Sequence, residues 1–299
     1  MAKHRRAWIV GLAVGIPALA GIAVLVLWLS IGSGGPPPLP RGTRQIPDDW
    51  VAGAVEDPHP ATPARPEPVT ETTLSGTLVF AADGKEFGEE TYEIRSSPQD
   101  GIRLVSSGTF RFKVVLVTIA VPFSQELTLD AAGRPLSYRL QVDGVLGIGS
   151  RLIEITVADG EAKTASGKEE TLTPVDTDRL FILGTFGTYA LLPLLQKLRP
   201  NEETIDVLTP FGAFGTNEEA PTSSLAQMRL ERSEEATLRA GDATLTVERR
   251  VVVSDYGTTS LLSAGDEFLG LTASGTDGSL SVYRADFFPR GFDAVNTGG

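Results

Sequence analysis

Between residues 69 and 295, apolar and polar residues alternate with a period of two, and Asp-Gly dipeptides punctuate the alternation. Leu136, Tyr138, Leu140 and Val142 share one parity, while Ser137, Arg139, Gln141 and Asp143 share the other. Ile153, Ile155 and Val157 alternate with Leu152, Glu154 and Thr156. Phe110 and Phe112 oppose Arg111 and Lys113, and Leu245, Val247, Val251 and Val253 share a parity with Arg249. Asp-Gly pairs begin at Asp83, Asp100, Asp143, Asp159 and Asp277. Such pairs suit the positive φ angles of tight hairpin turns. One face buried and one face wet marks an antiparallel sheet. The pattern predicts a mainly β domain of about ten strands, long enough to close one core without disulfides. The chain holds no cysteine, which excludes disulfides, thiol chemistry and a lipidated N-terminal Cys.

Before this domain lie two segments of other character. Residues 7–31 form an uncharged run of 25 residues, preceded by Lys3, Arg5 and Arg6 in a basic stretch at 1–6. As a helix it spans roughly 37 Å, enough to cross a bilayer with tilt. Positive charge before a span favours the cytoplasmic side, so the remainder is predicted to be extracytoplasmic, periplasmic or at the cell surface. The run exceeds the apolar core of a secretory signal and lacks a clean small-x-small site, which argues for an uncleaved single-pass anchor. Residues 32–68 hold ten of the chain's twenty prolines and read as a semi-rigid stalk. Residues 296–299 read as a flexible tail.

One stretch inside the domain departs from alternation. Leu180 to Leu195 carries no charge and contains Gly184, Gly187, Thr185, Thr188 and Pro193. It is short for a second span. The expectation is a central apolar helix or helix pair, broken or bent at Pro193, started by Thr177 or Asp178 and ended before Pro200. A helix apolar on all sides is buried on all sides, here within a curved sheet or incomplete barrel or at its mouth. Phe181, Phe186, Tyr189, Phe211 and Phe214 fall within 34 residues of each other, with Leu192 between them. These six residues serve either as packed core or as the lining of an apolar ligand cavity.

Several chemistries are excluded. The only histidines are His4 and His59, both before the domain, which removes His-dependent triads and His metal sites from it. No P-loop pattern occurs, and the glycines at 144, 147 and 149 lack the strand-turn-helix setting of a dinucleotide site. No metal or cofactor is expected, and the chain does not read as an enzyme. The doublets Glu89-Glu90, Glu202-Glu203, Glu218-Glu219 and Glu234-Glu235 read as solvated edges, because adjacent strand residues point to opposite faces. After Arg6 the chain has 23 basic and 38 acidic residues, a formal charge of −15, which disfavours nucleic acid as a partner.

The runs Leu127-Thr128-Leu129 through Arg139-Leu140, Asp178 through Arg199, and Leu269-Gly270-Leu271 through Tyr283-Arg284-Ala285 give the order strands, apolar helix segment, strands. In this order the domain resembles the LolA/LolB-type incomplete barrel of lipoprotein carriers and related uncharacterised periplasmic domains. That resemblance implies binding of acyl chains between a curved sheet and its helices. The anchor and stalk depart from the family and imply a tethered receptor rather than a diffusing carrier. The predicted function is a membrane-tethered domain that binds an apolar or lipid-like ligand. The alternative is a scaffold component of an envelope complex with no cavity. Protein partners are not readable from the residues.

Overall fold

A computed structural model of the chain describes residues 72–114, 117–144, 150–195, 204–210, 224–240, 243–254, 257–275, 278–288 and 293–295. The predicted anchor at 7–31, the stalk at 32–68 and the tail at 296–299 lie outside the described residues. Among the described residues, no helix is long and apolar enough to cross a membrane.

The strands are β1 Thr72–Ala82, β2 Lys85–Ser97, β3 Gly101–Val114, β4 Val117–Leu129, β5 Pro135–Val142, β6 Arg151–Ala158, β7 Glu161–Ser166 and β8 Glu169–Pro174. They continue with β9 Leu180–Ile182, β10 Ile205–Thr209, β11 Ser224–Ala240, β12 Ala243–Ser254, β13 Gly257–Ala264, β14 Glu267–Gly275, β15 Gly278–Arg284 and β16 Asp293–Val295. All belong to one sheet, ordered β8-β7-β6-β5-β4-β3-β2-β1-β15-β14-β13-β12-β11-β10-β9, with β16 on β11. β1 joins the two arms by pairing with β15, Leu78 opposite Arg284 and Phe80 opposite Val282. Sixteen strands exceed the ten expected, partly because the turns at Gly167 and Gly265 carry no Asp-Gly signal. At Asp83-Gly84 and Asp159-Gly160, both turn residues do take positive φ, as the dipeptide predicts.

Connectivity forces the sheet to curl. β8 and β9 are the opposite ends of the strand path, yet only residues 175–179 separate them. Six extended steps from Pro174 to Leu180 reach about 20 Å at most. A flat path of this many strands would hold its edges about 65 Å apart. The ends therefore come round toward each other, and β9 packs against β5. The result is a large curved, unclosed antiparallel sheet. Among the described residues, the single parallel pairing is β9 with β10. Parallel neighbours need a long crossover, and here residues 183–204 supply it. That crossover carries the apolar segment.

The expected central helix or helix pair is reduced to one short α-helix preceded by a 3-10 turn. Leu180–Ile182 is a strand, Phe186–Ala190 is a 3-10 helix, and α1 is one turn at Leu191–Leu194. Gly184 and Gly187 disfavour a longer helix, and Thr185 and Thr188 add β-branched stiffness. Pro193 is tolerated inside the first turn, where its missing N–H has no partner to lose. Neither Thr177 nor Asp178 starts a helix: both lie in the turn before β9, where Asp176 Oδ1 accepts from the Asp178 N–H at 3.1 Å.

The sheet has a core on each side. The inner one gathers Leu78, Phe80, Phe110, Phe123, Tyr138, Ile153, Ile155 and the crossover residues Leu183, Phe186, Tyr189 and Leu191. The outer one gathers Val79, Ala81, Leu238, Leu245, Val247 and Tyr283 beneath Ala285, Phe287 and Phe288. β1 thus buries both parities at Leu78–Ala81. Leu136 breaks its predicted parity and is exposed, because the β4–β5 register shifts between Thr128 and Leu129 and turns Pro135 inward.

Candidate functional site

Four neighbouring strands each put one polar side chain on the apolar inner face: Glu90 on β2, Ser106 on β3, Gln125 on β4 and Tyr138 on β5. Register aligns them, with Ser106 opposite Gln125 and Leu127 opposite Tyr138. Glu90 has no exposed surface. Its Oε1 accepts from Ser106 Oγ at 2.5 Å and from Gln125 Nε2 at 3.0 Å. Tyr138 Oη donates to Gln125 Oε1 at 3.0 Å. The crossover docks onto this group. Thr185 Oγ1 donates to Glu90 Oε1 at 2.5 Å, Thr185 N–H to Gln125 Oε1 at 3.0 Å, and Gly187 N–H to Glu90 Oε2 at 2.9 Å.

Gly187 lies in the first turn of the 3-10 helix, where an N–H lacks an intrahelical acceptor, and Thr185 makes no side-chain cap. A carboxylate from the sheet does that work. Burial pushes the Glu90 carboxyl above its ordinary value of 4.5, while the donors of Ser106, Thr185, Gly187 and Gln125 pull it down. Close approach requires glycine on the crossover. A Cβ at Gly187 would fall 2.5 Å from Glu90 Oε1, and one at Gly184 would overlap Tyr138 Oη and Gln125 Oε1.

Aromatic rings flank the polar group. Phe186 packs on Phe80 at 4.4 Å between centroids, and Phe80 continues to Phe110 at 5.5 Å and Phe110 to Phe123 at 4.6 Å. On the other side, Tyr189 links Phe186 and Phe268, each at 6.4 Å. Of the six residues predicted from sequence, Phe181, Phe186, Tyr189 and Leu192 come together in this inner core, each 1% exposed. Phe211 and Phe214 lie outside the described residues. Grooves on the described surface lie elsewhere. One of about 590 Å³ over β11–β13 is lined by Ser233, Glu234, Glu235 and Glu248. Another of about 440 Å³ over β1–β4 includes Thr91, Arg95, Arg103 and Val105.

A second buried polar group sits where β1 meets β15. Arg284 has no exposed surface. It donates to Asp286 Oδ1 at 2.8 Å, Glu267 Oε2 at 2.8 Å, Tyr92 Oη at 2.7 Å and the Ser75 carbonyl at 3.0 Å. The guanidinium also lies 4.8 Å from the Phe287 ring centroid, within cation–π range. Burial opposes its charge, but the bond to Asp286 and the charges around it hold its pKa above the ordinary arginine value. Gly76 leaves the space it occupies, since a Cβ there would overlap the guanidinium. Every contact of Arg284 is internal, and it acts as a clasp joining β1, β2, β14 and the turn after β15.

The reading of the Glu89-Glu90 doublet as a solvated edge is corrected for Glu90. Glu89 does face outward, to Arg111 at 2.8 Å. Glu90 shares the parity of Tyr92 and Ile94, both buried. That parity was the available signal: a carboxylate on an apolar strand face has to find partners. Among the described residues, no group of three or more His, Cys, Asp or Glu can hold a metal.

No protein family and no curated protein matches the chain. Two solved structures are similar to it. One is a β-barrel-like protein of domain of unknown function DUF1849 from Brucella abortus, at 12% identity and TM-score 0.46, covering 76% of this chain and 99% of that one. The other is a DUF1089 family protein from Pseudomonas aeruginosa, at 11% identity and TM-score 0.31, covering 72% of this chain and 95% of that one.

Proposed function

We propose that the chain is a membrane-tethered, extracytoplasmic β domain that holds an apolar or lipid-like ligand on the inner face of its curled sheet. The observation that carries this reading is the crossover. An uncharged segment, Leu183 to Leu195, lies over an aromatic stripe without being a strand of the sheet there. Its side-chain attachment to β2–β5 runs through the Glu90–Gln125 group. Such a segment can exchange with a ligand that offers the same apolar surface, at the cost of one polar cluster rather than of the strand ladder. The anchor-like run at 7–31 and the proline stalk support delivery at a bilayer, and the resemblance to LolA/LolB-type carriers supports acyl chains as cargo. Organic extraction and native mass spectrometry of the full-length chain, purified from membranes in mild detergent, test the proposal. Discrete added masses matching an extracted lipid are expected.

A scaffold role is the second reading. It is favoured by the near-complete burial of Phe181, Phe186, Tyr189 and Leu192, which is how a filled core behaves. A clean unliganded mass together with a stoichiometric protein partner in the same preparation would select it.

A further inference from the structure

The Glu90 cluster divides unevenly between the sheet and the crossover. The hydrogen bonds that the sheet's own donors make in this group stay within it: Ser106 Oγ and Gln125 Nε2 to Glu90, and Tyr138 Oη to Gln125. The crossover brings three donors to the cluster, namely Thr185 N–H, Thr185 Oγ1 and Gly187 N–H. What the sheet presents to the crossover is therefore a row of acceptors: both Glu90 oxygens and Gln125 Oε1. Directly beside it, Phe186 of the crossover meets Phe80, at the end of the Phe80–Phe110–Phe123 stripe. The crossover thus docks as a compact head of donors joined to an apolar body.

We propose that Glu90, Ser106, Gln125 and Tyr138 are the polar end of the inner-face site, and that this site takes neutral long-chain amphiphiles whose heads donate hydrogen bonds. This rests on the reading of the inner face as a lipid site. A hydroxyl or amide head donates to the acceptors that Thr185 Oγ1 and the two N–H groups otherwise fill, and the two hydroxyls of a glycerol monoester replace two of those three bonds. A head without donors leaves buried acceptors unpaired, which is costly. An anionic head is buried with no cation to pair it, and beside an ionised Glu90 it adds a second negative charge. Selection therefore falls on the head, because the aromatic stripe accepts any chain of suitable length.

The test uses the full-length chain in mild detergent and three probes with the same chain: monooleoylglycerol, methyl oleate and oleate. Binding is read by native mass spectrometry, and crossover release by hydrogen exchange at the amides of 185–190. Monooleoylglycerol is expected to bind and to speed exchange there, with methyl oleate and oleate each weaker by ~10-fold or more. Glu90→Gln is expected to lose most of the preference over oleate. The wild-type comparison stands by itself if that variant does not fold. Oleate or methyl oleate binding as tightly as monooleoylglycerol overturns the assignment of the polar end and leaves the lipid site standing. If none of the three binds and the 185–190 amides stay protected, both fall.

Discussion

At the scale of single residues, the molecule is organised around two buried charge-bearing groups, and their chemistry makes opposite predictions. Glu90 has its pKa raised by burial, so the folded state holds its proton above the ordinary 4.5 where the unfolded chain releases it. Its contribution to stability is full below 4.5 and is lost as pH rises through the folded value. Urea unfolding at several pH values should show wild type losing ground to Glu90→Gln as pH rises from 4.5, by at most ~1.4 kcal/mol per unit. A gap that widened in favour of wild type would mean the donors outweigh burial. Arg284 is instead held charged by Asp286 and Glu267, and removing it strands their carboxylates. Arg284→Ala is expected to cost about 3–5 kcal/mol, read as a fall in the urea midpoint. Neither residue was singled out from sequence. Glu90 was read with its neighbour as a surface doublet, although the parity it shares with Tyr92 and Ile94 placed it inside. Arg284 has no such warning, because apart from Asp286 its partners lie at Ser75, Tyr92 and Glu267, distant in sequence.

Among the elements, alternation located strands well and the apolar segment badly. Strands such as β6, with Ile153, Ile155 and Val157 all buried, follow directly from a period of two. The segment at 180–195 has no period to read, and its conformation is set by what it must do. It links two parallel strands and needs glycine at 184 and 187, where its backbone comes closest to Tyr138, Gln125 and Glu90. Its residues are also core. Phe186→Ala is therefore expected to cost about 3–5 kcal/mol in thermal or urea unfolding, with Phe186→Leu costing much less. If Phe186→Ala left stability unchanged, the ring would not be packed on Phe80 and Tyr189. A ligand experiment on Phe186 should use the leucine variant, so that loss of binding is not confused with loss of fold. The free edge β8 shows a different device. Glu169, Glu170 and Pro174 place charge and a missing donor on this strand, which among the described residues pairs with β7 alone, and so discourage pairing with another sheet.

For the molecule as a whole, the short β8–β9 connection curls the sheet, and the β9–β10 crossover fills the hollow that the curl creates. The strands and a curved sheet or incomplete barrel are legible in the sequence, but the strand order is not, because it depends on the pairing of β1 with β15 across the whole domain. The extracytoplasmic placement proposed from residues 1–31 has its own test: a periplasm-dependent alkaline phosphatase fused after residue 299 is expected to be active, and an inactive fusion would place the domain in the cytoplasm. The central claim is that the crossover and a lipid compete for the inner face. The chain has no cysteine, so Ala190→Cys, at a position 3% exposed in the crossover, supplies a single thiol reporter. The measurement is its labelling rate by a water-soluble maleimide in the full-length chain, with and without added monooleoylglycerol. The account predicts slow labelling alone and faster labelling with lipid, while far-UV circular dichroism stays unchanged. Labelling that stays slow at every lipid concentration, with the domain folded, would contradict it and leave the filled-core scaffold as the description of this protein.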